Sequence, residues 1–257
     1  NRDGTAGYGG CIFCSGDGGG EFAEKGCSIT QQLEQAKKRV ESKCKSGKYM
    51  AYFQSFTNTY APLEVLRQRY LEAIAPDYIV GLSIGTRPDC LPDETVALLK
   101  EINAIKPVCV ELGLQTVHEA SAAYIRRGYV NQLYFDGVKK LKEAGIEVVT
   151  HIILGLPGET AEDMAATARY IGRSGAAGVK FHLLHVLRGT DLAADYLAEK
   201  FETMTMEAYI AALEGCVRAI PREMVIHRLT GDGDKKLLIA PLWTGDKKRV
   251  LNTIRRT

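Results

Sequence analysis

The residues best suited to chemistry stand near the start of the chain. Cys11 and Cys14 form a C-x-x-C pair inside Gly9-Gly10-Cys11-Ile12-Phe13-Cys14-Ser15-Gly16, with Gly18-Gly19-Gly20 behind it. Two thiolates at this spacing suit an iron–sulfur cluster, half a zinc site or a redox couple. Glycine lets the backbone approach closely, so that N–H groups can point at sulfur and offset its charge. A redox pair is expected to open a helix in a thioredoxin-type unit, and this one lies in a glycine loop. A zinc site wants a second cysteine or histidine pair, and none with matching spacing follows. Cys27 and Cys44 do not supply it, so the spacing alone leaves every reading open, coincidence included.

A second group of candidates follows from alternation along strands. Over Val108 to Gln115, the residues Cys109, Glu111, Gly113 and Gln115 share one face, and Val108, Val110, Leu112 and Leu114 share the other. A carboxylate midway along a buried strand is costly unless it is hydrogen-bonded or paired. Glu111 is therefore either half of an interior ion pair, for instance with Lys180, or an acceptor for a ligand's hydroxyl groups, and Gln115 on the same face favours the second. Lys180 and His182 alternate with Val179, Phe181 and Leu183 in the same way.

The elements that must position these residues can be read from the same chain. The first 27 residues hold nine of the 26 glycines and predict a loop. Ser28 and Gln31 mark a capping box before a helix carrying Ile29, Leu33, Ala36 and Val40. Strands are expected at Tyr49 to Gln54, Ile79 to Ile84, Val108 to Gln115, Glu147 to Leu154 and Val179 to Leu187. Helices are expected after Pro62 and Pro92, near His118 to Arg126, over Asn131 to Ala144 with Gly145 as the stop, over Ala161 to Gly172, and over Met204 to Ala219. Apolar strands alternating with helices predict a parallel sheet covered by helices. The fold class is α/β, a partial (β/α)6 TIM-type barrel, with a first strand expected ahead of Asn1. Residues 1–220 are read as the core and 221–257 as a C-terminal extension packed on it. In such folds the chemistry sits beyond the C-terminal ends of the strands, here at Ser55 to Thr59 and Gly85 to Asp89 among others.

Composition bounds the function. The chain has 257 residues, 33 basic against 31 acidic for a net charge of +2, and is 46% hydrophobic. That balance excludes a strongly basic nucleic-acid tail and an acidic solvating chain, but not a local basic patch. No run approaches about 18 apolar residues, so no membrane association is expected. Seven dispersed cysteines, an odd number, indicate a reducing, cytoplasmic setting. The opening at Asn1, without a methionine, reads as a fragment.

Taken together, the motifs resemble a radical S-adenosylmethionine (SAM) family, the YhcC/YtqA type related to the Elongator catalytic subunit. The resemblance rests on Asn1 to Thr5, on Gly9 to Ser15, on Tyr52 to Thr59, on Thr86-Arg87-Pro88-Asp89-Cys90-Leu91-Pro92-Asp93 and on Glu111 to Thr116. It continues through His151-Ile152-Ile153-Leu154-Gly155-Leu156-Pro157, His182 to His185 and His227-Arg228-Leu229-Thr230-Gly231-Asp232-Gly233. It implies a 4Fe–4S cluster held by three thiolates, of which Cys11 and Cys14 are two and the family's first falls two positions ahead of Asn1. It implies SAM as the second cofactor, cleaved reductively to a 5′-deoxyadenosyl radical that abstracts hydrogen from the substrate.

Site roles follow from the resemblance. Thr57, Asn58 and Thr59 lie where relatives meet the SAM amino group. Glu111 and Gln115 would meet the ribose hydroxyls, and Ile153 to Gly155 would offer backbone to the adenine. Phe13 would lie near the adenine or tuck into the core. Arg127 matches an arginine aimed at the SAM carboxylate, against the simpler reading of a solvated charge at a helix end. Arg87, Asp89, His182 and His185 are the catalytic candidates, with His227 and Arg228 as further substrate candidates. Cys90 and Cys109 read as core cysteines, and Cys216 carries no functional signal. The resemblance further implies a tRNA substrate modified at its wobble uridine, and a one-electron donor such as a flavodoxin or ferredoxin. Lys247-Lys248-Arg249 and Arg255-Arg256 would suit a phosphate backbone or simply a solvated helix face. A radical SAM enzyme acting on a small metabolite, and a non-catalytic zinc- or ligand-binding barrel, are the alternatives.

Overall fold

A computed structural model describes residues 3–4, 7–16, 18, 23–24, 26, 28–43, 46–231 and 233–256. Asn1, Arg2, Thr5, Gly19, Gly20, Cys27, Cys44 and Asp232, all named above, lie outside the described residues.

Two short strands, β1 (Asp3–Gly4) and β2 (Gly7–Tyr8), pair antiparallel ahead of the cysteine loop. There follow α1 (Ile29–Val40), β3 (Tyr49–Phe53), α2 (Leu63–Ile74), β4 (Ile79–Thr86), α3 (Asp93–Ile105), β5 (Val108–Gln115), α4 (Glu119–Tyr124) and α5 (Asn131–Glu143). The rest of the chain forms β6 (Glu147–Leu154), α6 (Ala161–Ser174), β7 (Gly178–Leu183), β8 (Val186–Leu187), α7 (Asp191–Leu197), α8 (Met206–Ala219), β9 (Val225–Arg228), β10 (Leu238–Ala240) and α9 (Lys247–Ile254).

The main sheet has six strands in the order β3-β4-β5-β6-β7-β9, and β3–β4, β4–β5, β6–β7 and β7–β9 all pair parallel. With helices between successive strands, this is the partial TIM-type connectivity expected from the apolar runs. The sequence reading finds five of these strands. The sixth, β9, lies in the segment after Pro221, where four residues alternating between exposed and half-buried positions carry no apolar run to announce them. The short β8 pairs with β10 in a separate antiparallel ribbon.

Local signals set the helix ends. The Ser28 side chain accepts from the Gln31 N–H and caps α1. Pro62 and Pro92 precede α2 and α3, where a missing N–H costs nothing. Gly145, at φ +74°, follows α5 in the left-handed region that glycine tolerates best. Among the described residues no helix is long and apolar enough to cross a membrane.

The chain divides into two compact units. The first takes in 1–16, 113–135 and 149–257, and the second 17–112 and 136–148. In the second, Leu82, Ile84 and Val110 are fully buried beside Leu66, Tyr70 and Leu99. In the first, Val179 and Phe181 of β7 are fully buried, as are Ala168 and Ile171 of α6 and Tyr209 of α8.

Candidate active site

The second unit holds the carboxylate singled out by alternation. Register places Tyr52 beside Ser83 and Ser83 beside Cys109, with Glu111 beside Gly85. Partners in a parallel ladder face the same side, so Tyr52, Ser83, Cys109 and Glu111 share one face. Glu111 is 5% exposed. Its Oε1 accepts from the Ser83 hydroxyl at 2.5 Å and its Oε2 from the Tyr52 hydroxyl at 2.9 Å. Two hydroxyl donors offset the cost of burying this acid. Cys109 is half-buried on this face rather than a core thiol, because its position has the parity of Glu111 and not that of Val108 and Val110. Cys90, by contrast, lies in the core.

The strand-end residues of this unit are largely committed to the fold. The Asn58 amide donates to the Phe53 and Gly85 carbonyls at 3.0 and 2.8 Å. The buried Thr59 hydroxyl meets those of Thr86 and the Cys90 carbonyl. Thr57 is half-buried. Arg87 grips Asp89 through two bonds, Nε to Oδ1 at 2.9 Å and Nη2 to Oδ2 at 2.8 Å. That fork fixes both side chains at the end of β4.

In the first unit, the cysteine loop is held at its centre. The Ile12 N–H donates to the Ile125 carbonyl at 3.3 Å, and the Ile12 carbonyl accepts from the Leu192 N–H at 3.0 Å. The Ile12 side chain is buried with Ile125, Ile153, Leu184 and Val186, and Phe13 packs partly buried on that cluster. The Cys14 N–H closes a turn onto the Cys11 carbonyl at 3.1 Å. Gly9 and Gly10 enter this turn at φ +80° and +75°, which other residues reach only under strain. A tight turn thus presents two half-buried thiols from a backbone tied on both sides. This donor set fits two ligands of an iron–sulfur cluster. Among the described residues, no group of three or more His, Cys, Asp or Glu is placed to hold a metal.

Arg127 is not a solvated charge, for it is 1% exposed. Its Nη1 donates to the Leu114 and Thr116 carbonyls at 3.2 and 2.7 Å, and its Nε and Nη2 donate to the Tyr129 carbonyl at 3.0 and 2.8 Å. Nη2 also lies 3.6 Å from Glu119. A ligand carboxylate would have to displace one of these partners. The arginine binds carbonyls on both sides of Gln115, which stands at φ +69°. The Gln115 amide folds back so far that a Cβ on Gly113 would lie 2.7 Å from its Nε2. Gly113 is the residue that allows this pose.

Ile153 is buried at the end of β6, and Gly155 follows at φ +85°, where a Cβ would meet the Met204 sulfur at 2.9 Å. The next turn ends in Glu159, whose Oε1 accepts from the Thr116 hydroxyl at 2.6 Å and whose carboxyl is pushed up by burial. The rings of His182 and His151 stack with centroids 4.9 Å apart. Burial and the neighbouring basic groups hold His182 well below the usual imidazole range, so it is neutral at pH 7. His185 lies against Gly233, where a Cβ would come within 3.2 Å of its ring.

Sequence reasoning assigned no role to Tyr52, Ser83, His151 or Glu159. Strand parity was the signal for the first three, once strand pairing is known. Glu159 sits on a turn, where no periodicity marks it.

Known proteins match the chain over most of its length. The radical SAM superfamily profile covers residues 7–171, and the Radical_SAM C-terminal domain covers 176–257. YtqA of Bacillus subtilis (strain 168) is 46% identical over the whole chain, which spans 80% of that protein. The structure titled archaeal Methanocaldococcus infernus Elp3, with an N-terminal deletion, superposes with a TM-score of 0.74 at 18% identity, over 89% of this chain and 59% of that one. A more distant relative, the tRNA uridine(34) acetyltransferase of Methanocaldococcus jannaschii, is 30% identical over 83 residues, 32% of this chain and 15% of that protein. With two thiols on a pinned glycine turn, a parallel sheet of matching connectivity and these matches, the chain belongs to the radical SAM superfamily and, within it, to the YhcC/YtqA type.

Proposed function

We propose that this chain is the core of an iron–sulfur enzyme that cleaves SAM reductively and acts on tRNA at the wobble uridine. The observation that carries the reading is the Cys11–Cys14 turn, held by Ile12, in a chain of the radical SAM superfamily. When bound, a 4Fe–4S cluster would supply the single electron that opens a carbon–sulfur bond of SAM.

The chain's residues bind, orient and exclude water. Cys11 and Cys14 hold iron. The apolar cluster around Ile12 keeps water from the inner side of the turn. Glu111, fixed by Tyr52 and Ser83, accepts from ribose hydroxyls, and Gln115 lies on the same strand for the same task. Thr57 faces the SAM amino group, while Asn58 and Thr59 shape the strand end around it. Ile153 to Gly155 offer backbone to the adenine, with Phe13 against the same apolar cluster. Arg127 acts as a positioning residue that holds the chain on either side of Gln115. Arg87, Asp89, His182 and His185 face the substrate.

The tRNA assignment draws on the named uridine(34) relative and on α9. There Lys247, Lys248 and Arg249, with Arg255 and Arg256 just past the helix end, are exposed around a buried Val250, as a phosphate-binding face would require. A flavodoxin or ferredoxin would deliver the electron.

The test is anaerobic reconstitution of the full-length protein with iron and sulfide. About four irons per chain and release of 5′-deoxyadenosine from SAM are expected, and both should be lost in Cys11→Ala and Cys14→Ala. About one zinc with no sulfide would overturn the reading. Comparison of tRNA nucleosides between a deletion strain and wild type then tests the substrate: a changed wobble-uridine profile is expected, and an unchanged one removes tRNA.

A further inference from the structure

Two loops of the first unit, one leaving β5 and one leaving β6, are joined by a side-chain bond. The β5 exit is a strained turn. The Thr116 N–H donates to the Leu114 carbonyl at 2.9 Å, and Gln115 between them stands at φ +69°. A three-residue turn with a positive central φ is the rare, strained form of the γ-turn. Such a conformation persists only where its surroundings over-determine it, and it clusters at ligand-binding sites.

The surroundings of Gln115 do over-determine it. Arg127 donates to the Leu114 and Thr116 carbonyls, and the Tyr129 hydroxyl to that of Gly113. The Asn131 amide donates to the Val117 carbonyl at 2.6 Å. These bonds hold the turn from the segment that follows it. Thr116 is fully buried, and its hydroxyl accepts from the His118 N–H at 3.1 Å and donates to Glu159 Oε1 at 2.6 Å. Glu159 thus holds the turn from the exit of the next strand.

Local sequence aims Glu159 there. Leu156-Pro157-Gly158-Glu159 closes through the Glu159 N–H onto the Leu156 carbonyl at 3.1 Å, with Gly158 at φ +82°. Proline second and glycine third is the signature of a type II turn. Thr160 and Asp163 then form a capping box that opens α6 and fixes the chain beyond Glu159. Leu156 is buried in the same apolar cluster as Ile12, the centre of the cysteine turn. A continuous path therefore runs from Gln115 through Thr116, Glu159 and Leu156 to the cysteine turn.

We propose that Glu159 is a positioning residue for SAM, acting through Thr116 to fix Gln115 in register with the backbone of Ile153 to Gly155. The bond ties the loop assigned to the ribose to the loop assigned to the adenine. Groups ordered before the ligand arrives need not be ordered on binding, which favours affinity. This deepens the function proposed above and rests on it for the tasks of Gln115 and of Ile153 to Gly155.

The test is calorimetric titration of the anaerobically reconstituted full-length protein with SAM. Glu159→Leu, which removes the acceptor, should weaken SAM binding at least fivefold. Glu159→Gln keeps a carbonyl for the Thr116 hydroxyl and should weaken it less than twofold. In a Gln115→Ala background, Glu159→Leu should weaken binding by less than a further twofold, because the group it positions is gone. A merely structural role would lower stability without this dependence on Gln115. Hydrogen exchange at the amides of 114–118 should quicken at least fivefold in Glu159→Leu. Should Glu159→Leu fail to fold, Thr116→Val against Thr116→Ser carries the same comparison, with serine keeping the hydroxyl and the affinity. Equal SAM affinity in wild type and Glu159→Leu, an equal loss with and without Gln115, or unchanged exchange overturns the inference. A wild-type protein that carries its cluster but binds no SAM sinks the proposed function, whereas one that binds SAM no better than Glu159→Leu does sinks this inference alone.

Discussion

Glu111 in the second unit and His182 in the first stand at comparable places, each on the half-polar face of a parallel strand. Their surroundings differ. Glu111 has a hydroxyl on each oxygen, delivered from β3 and β4 at 2.9 and 2.5 Å. His182 has a stacked ring, basic neighbours and a shielded nitrogen that meets no hydrogen-bond partner among the described residues. The acid is pre-satisfied, so its position is set before any ligand arrives. The imidazole is kept neutral, and its shielded nitrogen meets no partner among the described residues. The two groups are thus told apart by where their hydrogen bonds go.

Arg127 extends the satisfied class and supplies the severest challenge to the comparison. Arg127→Leu removes donors from the Leu114, Thr116 and Tyr129 carbonyls inside a buried turn, and a loss of about 3–5 kcal/mol is expected in urea unfolding. A loss below about 1 kcal/mol would show that those bonds are incidental. Next come the donors to Glu111. Ser83→Ala should cost about 1.5–3 kcal/mol because it strips a buried carboxylate, and Tyr52→Phe should fall at or below the lower end because Tyr52 is 37% exposed. Equal, negligible costs would place Glu111 among the unsatisfied groups.

The unsatisfied side of the comparison has a pH signature. The folded state holds His182 below the usual imidazole range, while the unfolded chain protonates near pH 6.5. Protons therefore bind the unfolded state more readily. Stability should be level above about pH 6.5 and fall as pH drops from there toward the folded value, by at most about 1.4 kcal/mol per pH unit for this residue. His182→Gln should flatten that part of the melting-temperature profile, and an unchanged slope would assign it to other groups. The smallest effect is expected at neutral pH, where His182→Gln should change stability by less than about 1 kcal/mol, since Nε2 has no bond to lose among the described residues. A cost like that of Ser83→Ala would reveal a hidden partner and erase the contrast.

Much of this was legible beforehand because it depends on local physics. Strand parity placed Glu111 with Cys109 and Lys180 with His182, and apolar runs located five strands of the main sheet. Proline and glycine marked helix ends at Pro62, Pro92 and Gly145. The site was legible less completely. Arg127 reads as a charge at a helix end because its identity and neighbours say so, yet the chain turns it inward onto three carbonyls. Cys109 reads as a core thiol until its parity with Glu111 is weighed. The strand β9 carries no apolar run, since only two of its four residues are even half-buried.

The sequence by itself determined which residues share a face, where elements begin and end, and that two thiols sit on a glycine turn, because those follow from backbone periodicity and from the φ angles glycine and proline allow. Only the tertiary structure decided who partners whom. Tyr52, Ser83 and Glu111 come from three strands, and Lys180 meets Arg228 through a skipped residue. Hydrogen bonds act over about 3 Å, and no pattern along the chain specifies which distant segments are brought that close.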